Sequence, residues 1–293
     1  MSDPPSPAPA PLARVPALFA LLRPRQWIKN GFVLAPLLFS GEFLDRSAIG
    51  PAVLAALLFC LGASAVYIVN DWRDIARDQL HPTKRFTRPL ASGAITKSAA
   101  GLILLFLYAL LTAAAWVLPG VVATIGVYLL VNIAYSFGLK NVPVVDIFLI
   151  ASGFVLRVYA GALALALPVS EWMFVTTLCL ALYLAAVKRR QELARAGTEG
   201  REVLGRYSIR LIDRYAETAA TGTLVFYSLF VMASRPELII TIPLVLFGLF
   251  RYWYVVETLG GGESPTDALL ADVPLIAVIG LWVAACLWAL WPA

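Results

Sequence analysis

The sequence predicts an all-α polytopic membrane protein of nine transmembrane helices, and three observations carry that prediction. The first is composition: 60% of the 293 residues are hydrophobic, only 14% are charged, and the mean hydropathy is +0.81. A soluble domain has about 25% charged residues. The second is the arrangement of the apolar residues in continuous runs of about 20, which match the roughly 30 Å hydrocarbon thickness of a bilayer. A membrane barrel would instead alternate apolar and polar residues over strands of about 10. The third is a one-sided distribution of Lys and Arg among the connections.

The expected spans follow in chain order. Residues 24–40 form the first, although Arg25 and Lys29 sit in its opening turns. Residues 48–70 form the second. The third and fourth, 98–117 and 120–138, are divided by the Pro119-Gly120 turn. The fifth is 144–166 and the sixth 171–187. The seventh, eighth and ninth are 216–234, 238–256 and 270–291. Residues 1–20, rich in Pro and Ala, are expected to be a disordered cytoplasmic tail. Apart from connections over 71–97 and 188–215, nothing long separates the apolar runs, so residues 21–293 read as one transmembrane domain.

With the N-terminus inside, 20 of the 23 Lys and Arg residues fall on the inner side. Arg46 and Arg235 fall outside and Arg157 lies within a span. This bias is what the positive-inside rule demands. It places the long polar connections in the cytoplasm, on the inner face of a cell membrane. An eight-span arrangement without residues 24–40 would put Arg14, Arg23, Arg25 and Lys29 on the wrong side. The net charge of +5 is then an attraction to anionic headgroups, and no nucleic-acid partner is expected. Cys60, Cys179 and Cys286 are far apart in apolar runs and have neither metal-site nor disulfide spacing. A homo-oligomer is left open, because lipid-facing and partner-facing apolar surfaces look alike.

The second span runs into NDWRDIARDQLHPTKRFTRPLASG. Asn70, Asp74 and Asp78 are spaced i, i+4, i+8 and stack on one helix face, with Asp71 about 100° round from Asn70. Carboxylates stacked at a membrane edge repel. A divalent cation relieves that repulsion, and Mg²⁺ is held by a few carboxylates together with phosphate oxygens. A solvated helix end of mixed charge is the alternative, since Arg73 and Arg77 lie among the acids. Lys84, Arg85 and Arg88 follow in a loop with Pro82, Pro89 and Gly93, suited to wrapping phosphate oxygens. His81 is a phosphate donor or a surface group.

Two further clusters lie on the same side. Tyr135, Lys140 and Asp146 surround a short inner loop. Arg157 is three helical turns beyond Asp146, about 16 Å deeper, so it must face a polar cavity or a partner acid. Lys188, Arg189 and Glu192 end the sixth span, where Lys188 and Glu192 are spaced to pair. Tyr207, Arg210 and Asp213 precede the seventh.

NDWRDIARD over 70–78 has the form NDxxDxxxD and resembles the first Asp-rich motif of the UbiA superfamily of intramembrane prenyltransferases. RPRQWIKN at 23–30, YSFGLKNVPVVDI at 135–147, LRVYAGALA at 156–164 and VKRRQEL at 187–193 extend the resemblance from about residue 20 onward. Within the superfamily, these segments and HPTKR at 81–85 are most similar to the decaprenyl-phosphate phosphoribosyltransferases. Quinone-forming members carry a second Asp-rich motif near the end of the sixth span. Here that place reads KRRQEL, whose one acid is Glu192.

The resemblance implies a UbiA-type helical bundle and Mg²⁺ dependence. The implied reaction transfers 5-phosphoribosyl from 5-phosphoribosyl 1-diphosphate to a long-chain polyprenyl phosphate, decaprenyl phosphate in the relatives, releasing diphosphate for cell-wall arabinan precursors. Asn70, Asp74 and Asp78 would hold the metal, with Asp71 supporting. Lys29, Lys84, Arg85, Arg88, Tyr135, Lys140, Asp146, Arg157, Lys188, Arg189 and Glu192 would bind substrate. Two other classes remain: an aromatic prenyltransferase using a prenyl diphosphate, and a transporter of an anionic solute or lipid. Against the transporter stand the lack of a matched outer polar cluster and of a visible inverted repeat.

Overall fold

The computed structural model describes residues 14–196, 202–258 and 271–291. Among them the secondary structure is entirely helical. The order is α1 (Arg14–Leu22), a 3-10 segment (Pro24–Leu34), α2 (Ala35–Ser40), α3 (Arg46–Arg73), α4 (Ile75–Leu80), α5 (Lys84–Thr87), α6 (Lys97–Ala114) and α7 (Pro119–Ser136). A 3-10 turn (Leu139–Asn141) leads to α8 (Val145–Ala164) and α9 (Glu171–Ala196). A second turn (Glu202–Arg206), α10 (Ile209–Ser234), a 3-10 turn (Pro236–Thr241), α11 (Ile242–Thr258) and α12 (Val273–Ala289) complete it.

Among the described residues, seven helical stretches are long and apolar enough to cross a bilayer: α3, α6, α7, α8, α9, α10 and the continuous run Pro236–Thr258. The remaining two of the nine expected spans take other forms. Residues 273–289 are a shorter apolar helix. The 24–40 segment is no single α-helix but a 3-10 stretch followed by the short α2. Pro24 and Pro36 lack the N–H that a continuous helix needs, and this stretch carries Arg25, Lys29 and Asn30 rather than an apolar face. The expected tail differs too. Its residues 1–13 lie outside the described residues, but α1 begins at Arg14, and Ala17 and Leu21 are fully buried in contact with α3.

Helix starts follow local chemistry. Asp45, Thr96, Ser208 and Asp272 each accept a backbone N–H of the first turn of α3, α6, α10 and α12, meeting donors that a helix start leaves orphaned. One core joins α3, α7 and α8 through Phe59, Ile125, Tyr128 and Ala160. Another joins α9 to α12 through Tyr183, Ala216, Tyr252 and Val278.

One close approach sets the site. The 3-10 segment lies directly on α8 at Gly161, where an added Cβ would stand 1.9 Å from the Val33 carbonyl oxygen. Only a hydrogen fits there, and this contact brings Asn30, on the same segment, to Arg157. At the opposite end from the Asp-rich motif, Arg235 donates to the Ser40 carbonyl (2.8 Å). There too, Tyr227 pairs with Thr241 (2.6 Å) and accepts from Trp282 (3.1 Å).

Candidate active site

The α3 helix ends at Asp74, whose φ of −91° and ψ of 8° leave the α-helical region. The hydrogen-bond ladder nonetheless crosses the break: Asp74 N–H reaches the Asn70 carbonyl (3.0 Å) and Asp78 N–H reaches Asp74 (2.8 Å). The i, i+4, i+8 stack predicted for Asn70, Asp74 and Asp78 is therefore kept. All three line one cavity of about 1050 Å³, walled by the α3–α4–α5 run, α7, α8, the end of α9 and the 3-10 segment.

Each side chain of the motif is placed differently. Asn70 accepts from the Ser136 hydroxyl on α7 (2.9 Å). Asp74 is half-buried. Asp78 is buried, with Lys84 Nζ at 3.9 Å. Asp71 points to cations instead: it is paired with Arg23 and lies 3.5 Å from Arg88 Nη1. Its second oxygen, Oδ2, is buried without a hydrogen-bond partner. Among the described residues no three His, Cys, Asp or Glu side chains converge as a metal cluster. Two carboxylates and an amide on one wall fit Mg²⁺ under one condition, that phosphate oxygens and water complete its shell, which is how that ion is usually held.

Lys84, Arg88, Lys140 and Lys188 line the cavity, as does Lys29, whose Nζ donates to Gln26 (2.7 Å). Tyr135, Arg157 and Glu192 line it as well. Arg85 does not. It is exposed, with its guanidinium 4.4 Å from the centre of the Phe86 ring, because the short α5 turns successive side chains to different sides. His81 lines the cavity and its Nδ1 accepts from the Thr83 and Lys84 N–H groups (3.2 and 3.3 Å), so it orders the loop.

Asp146 and Arg189 also depart from the expected substrate contact. Both are fully buried behind the cavity wall. Arg189 Nε donates to Asp146 Oδ2 (2.6 Å), Nη1 to Glu192 (2.5 Å) and Nη2 to the Tyr135 hydroxyl (2.8 Å). The Tyr207 hydroxyl donates to Asp146 Oδ1 (2.7 Å) and accepts from the Val144 N–H (2.6 Å). Burial pushes the Tyr207 phenol well above its ordinary range. Val144 has φ of 69°, a strained conformation for a β-branched residue, and the Tyr207 hydroxyl holds it there. Tyr135 and Glu192 are thus fixed on the cavity wall by a buried cation rather than placed beside it as equal ligands.

Arg157 sits at the deep end. It is buried, donating from Nε to Asn30 Oδ1 (2.7 Å), from Nη1 to the Gly153 carbonyl (2.6 Å) and from Nη2 to the Tyr128 hydroxyl (3.4 Å). Its guanidinium carbon faces the Tyr128, Phe59 and Phe154 rings at 4.9, 5.1 and 5.6 Å. Arg23, Tyr128 and Asn132 also line the cavity and Asn30 holds Arg157, four residues not expected at the site from sequence. A polar residue within a span, such as Asn30 or Asn132, was the available signal.

Residues 33–265 match the UbiA prenyltransferase family. The chain is 36% identical to the decaprenyl-phosphate phosphoribosyltransferase of Corynebacterium glutamicum, over 89% of this chain and 83% of that one. It is 34% identical to the protein of that name from Mycolicibacterium smegmatis, over 92% and 91%. The nodulation protein NoeC of Azorhizobium caulinodans is 30% identical over 88% and 89%. Among solved structures, a UbiA homolog from Archaeoglobus fulgidus bound to GPP and Mg²⁺ superposes with a TM-score of 0.70 at 21% identity, covering 93% of this chain and 98% of that one. The chain belongs to the UbiA prenyltransferase family.

Proposed function

We propose that the protein transfers 5-phosphoribosyl from 5-phosphoribosyl 1-diphosphate to a long-chain polyprenyl phosphate, on the cytoplasmic side of the cell membrane and with Mg²⁺. The observation that carries the reading is the cavity wall itself. Two carboxylates, Asp74 and Asp78, stand on one side, while the place for a second acidic cluster on α9 holds the buried Arg189 and the cavity-lining Lys188. One acidic wall suits one metal-bound diphosphate. The cations Lys84, Arg88, Lys140 and Lys188 suit phosphate groups beyond that diphosphate. The names of the relatives at 34–36% identity support this chemistry, and the Mg²⁺ in the archaeal UbiA homolog supports the metal.

The lipid phosphate oxygen attacks C1 of the ribose. The bond from C1 to the diphosphate oxygen breaks, and diphosphate leaves with the bonding electrons. Charge grows on the leaving group, so groups aimed there lower the barrier most. Asn70, Asp74 and Asp78 would hold Mg²⁺, which when bound offsets the charge of the departing diphosphate. Lys84 and Arg88 orient the same group from the α5 loop. The nucleophile is already an anion and needs no general base, in keeping with His81 being engaged by backbone N–H groups. An apolar hollow of about 300 Å³ between α3, α6 and α7 shares Val66, Asn70, Asn132 and Ser136 with the cavity. It offers isoprene units an apolar wall next to the reacting groups, at about 0.8 kcal/mol per CH₂ buried.

The test uses purified protein in detergent with labelled phosphoribosyl diphosphate, decaprenyl phosphate and Mg²⁺. Label should pass to the lipid, should stop with EDTA and return with Mg²⁺, and should fall at least about 100-fold in Asp74→Asn. Transfer of a prenyl group from a prenyl diphosphate to an aromatic acid, with no labelled lipid, would overturn the reading.

A further inference from the structure

We infer that Arg157 is the binding site for the phosphate monoester of the lipid acceptor, and that the donor's phosphates are held by the separate set of cations at the cavity mouth. The inference rests on the phosphoribosyl-transfer reading above and divides its anionic ligands between two ends of one cavity.

The first observation is the state of the Arg157 charge. The other buried arginine among the described residues, Arg189, has carboxylate partners in Asp146 and Glu192, and the half-buried Arg23 and Arg190 have Asp71 and Asp213. Among the described residues no carboxylate pairs with Arg157. Its partners are an amide oxygen, a backbone carbonyl, a phenol hydroxyl and three ring faces. Dipoles and ring faces make a buried cation tolerable, yet they bring no negative charge. A cation within a membrane span that faces a cavity without a counter-ion marks a place for an anionic ligand.

The second observation is geometric. A guanidinium has five N–H donors in a fixed fork, and three of those of Arg157 are engaged. One N–H on each terminal nitrogen remains to donate to a phosphate oxygen. The group is also prepositioned. Asn30 is itself buried, donating to Cys60 Sγ (3.1 Å). The absent side chain at Gly153 leaves room for Arg157 Nη1, which would stand 3.4 Å from a Cβ there.

The third observation assigns the ligand. Arg157 lies three turns along α8 from Asp146, about 16 Å deeper in the membrane, among Phe59, Phe154 and Tyr128. A water-soluble donor meets Lys84, Arg88, Lys140 and Lys188 first, beside the carboxylates that hold its diphosphate. Among those rings an isoprenoid tail keeps its apolar contacts, at about 0.8 kcal/mol per CH₂ buried, whereas a sugar phosphate would give up hydration there and gain no such contact. The ligand chemistry at Arg157 is a phosphate monoester, and two molecules carry one: the lipid acceptor and the 5-phosphate end of the donor.

Direct binding separates them without relying on turnover. Isothermal titration in detergent would use farnesyl phosphate, farnesol and ribose 5-phosphate with the full chain, Arg157→Met and Arg157→Lys. Loss of two charge-assisted hydrogen bonds predicts that Arg157→Met weakens farnesyl phosphate on the order of 100-fold. Farnesol and ribose 5-phosphate should bind as to the wild type. Removing a buried charge that has no counter-ion leaves none stranded, so this variant should fold. If it does not, Arg157→Lys decides, with farnesyl phosphate about 10-fold weaker once the fork is lost. Weakened ribose 5-phosphate with unchanged farnesyl phosphate overturns the assignment. So does a wild type that binds farnesyl phosphate no better than farnesol. Wild-type binding of farnesyl phosphate without any phosphoribosyl transfer would sink the proposed reaction and leave this site standing.

Discussion

Removing the carboxylate of Asp146 tests the division between buried scaffold and substrate contact. Arg189 is fully buried and shares its charge among Asp146, Glu192 and Tyr135 at 2.5–2.8 Å. Breaking a buried ion pair by deleting one partner costs about 3–5 kcal/mol, because a charge is stranded. Glu192 remains as a second, partly exposed partner, so Asp146→Leu should cost about 3 kcal/mol, near the bottom of that range. Arg189→Met strands Asp146 in turn and should cost a similar amount. The double variant strands neither, and the two effects should fall short of additivity by about 2 kcal/mol or more. The measurement is reversible unfolding in mixed micelles by SDS titration, followed by far-UV circular dichroism. Wild-type stability in both single variants, together with a raised KM for the phosphoribosyl donor, would refute the reasoning and return Arg189 to the set of direct ligands.

Other expectations follow from the same geometry. Gly161→Ala puts a methyl group 1.9 Å from the Val33 carbonyl, and the same SDS titration should show a loss of about 1–3 kcal/mol from overpacking. Arg85→Ala should leave donor KM unchanged, since Arg85 stands on Phe86 outside the cavity. Lys84→Ala and Arg88→Ala should each raise donor KM about 10-fold, the loss of one charge-assisted contact. Tyr207→Phe removes the hydrogen bonds to Asp146 and to the Val144 N–H. It should destabilise the fold by about 1–3 kcal/mol, with faster amide exchange at Val144 than in the wild type.

What could be read from sequence alone was what depends on local period or on totals. The Asn70–Asp74–Asp78 ladder was legible because one helix carries all three, and it survives the break at Asp74 through the continuing hydrogen bonds. The helical class was legible because bilayer thickness fixes the length of an apolar run. The direction of Arg85 was not, since four residues of α5 between prolines set it rather than a long helical face. Nor was the Asp146–Arg189 pair, formed across 43 positions of sequence by the packing of α8 on α9. Both residues read as cavity cations or acids because their types and neighbours fit that role, and only burial distinguishes them. The count of nine spans failed to anticipate the 3-10 geometry of residues 24–34. Hydropathy alone does not report the contact at Gly161 that draws this segment, and Asn30 with it, toward Arg157.

Mass spectrometry of the lipid product reads directly which bond the protein makes. Given 5-phosphoribosyl 1-diphosphate, decaprenyl phosphate, a prenyl diphosphate, an aromatic acid and Mg²⁺ together, the protein should yield a lipid carrying one phosphoribosyl group on its phosphate, and free diphosphate in equal amount. A prenylated aromatic acid with decaprenyl phosphate unchanged would contradict it.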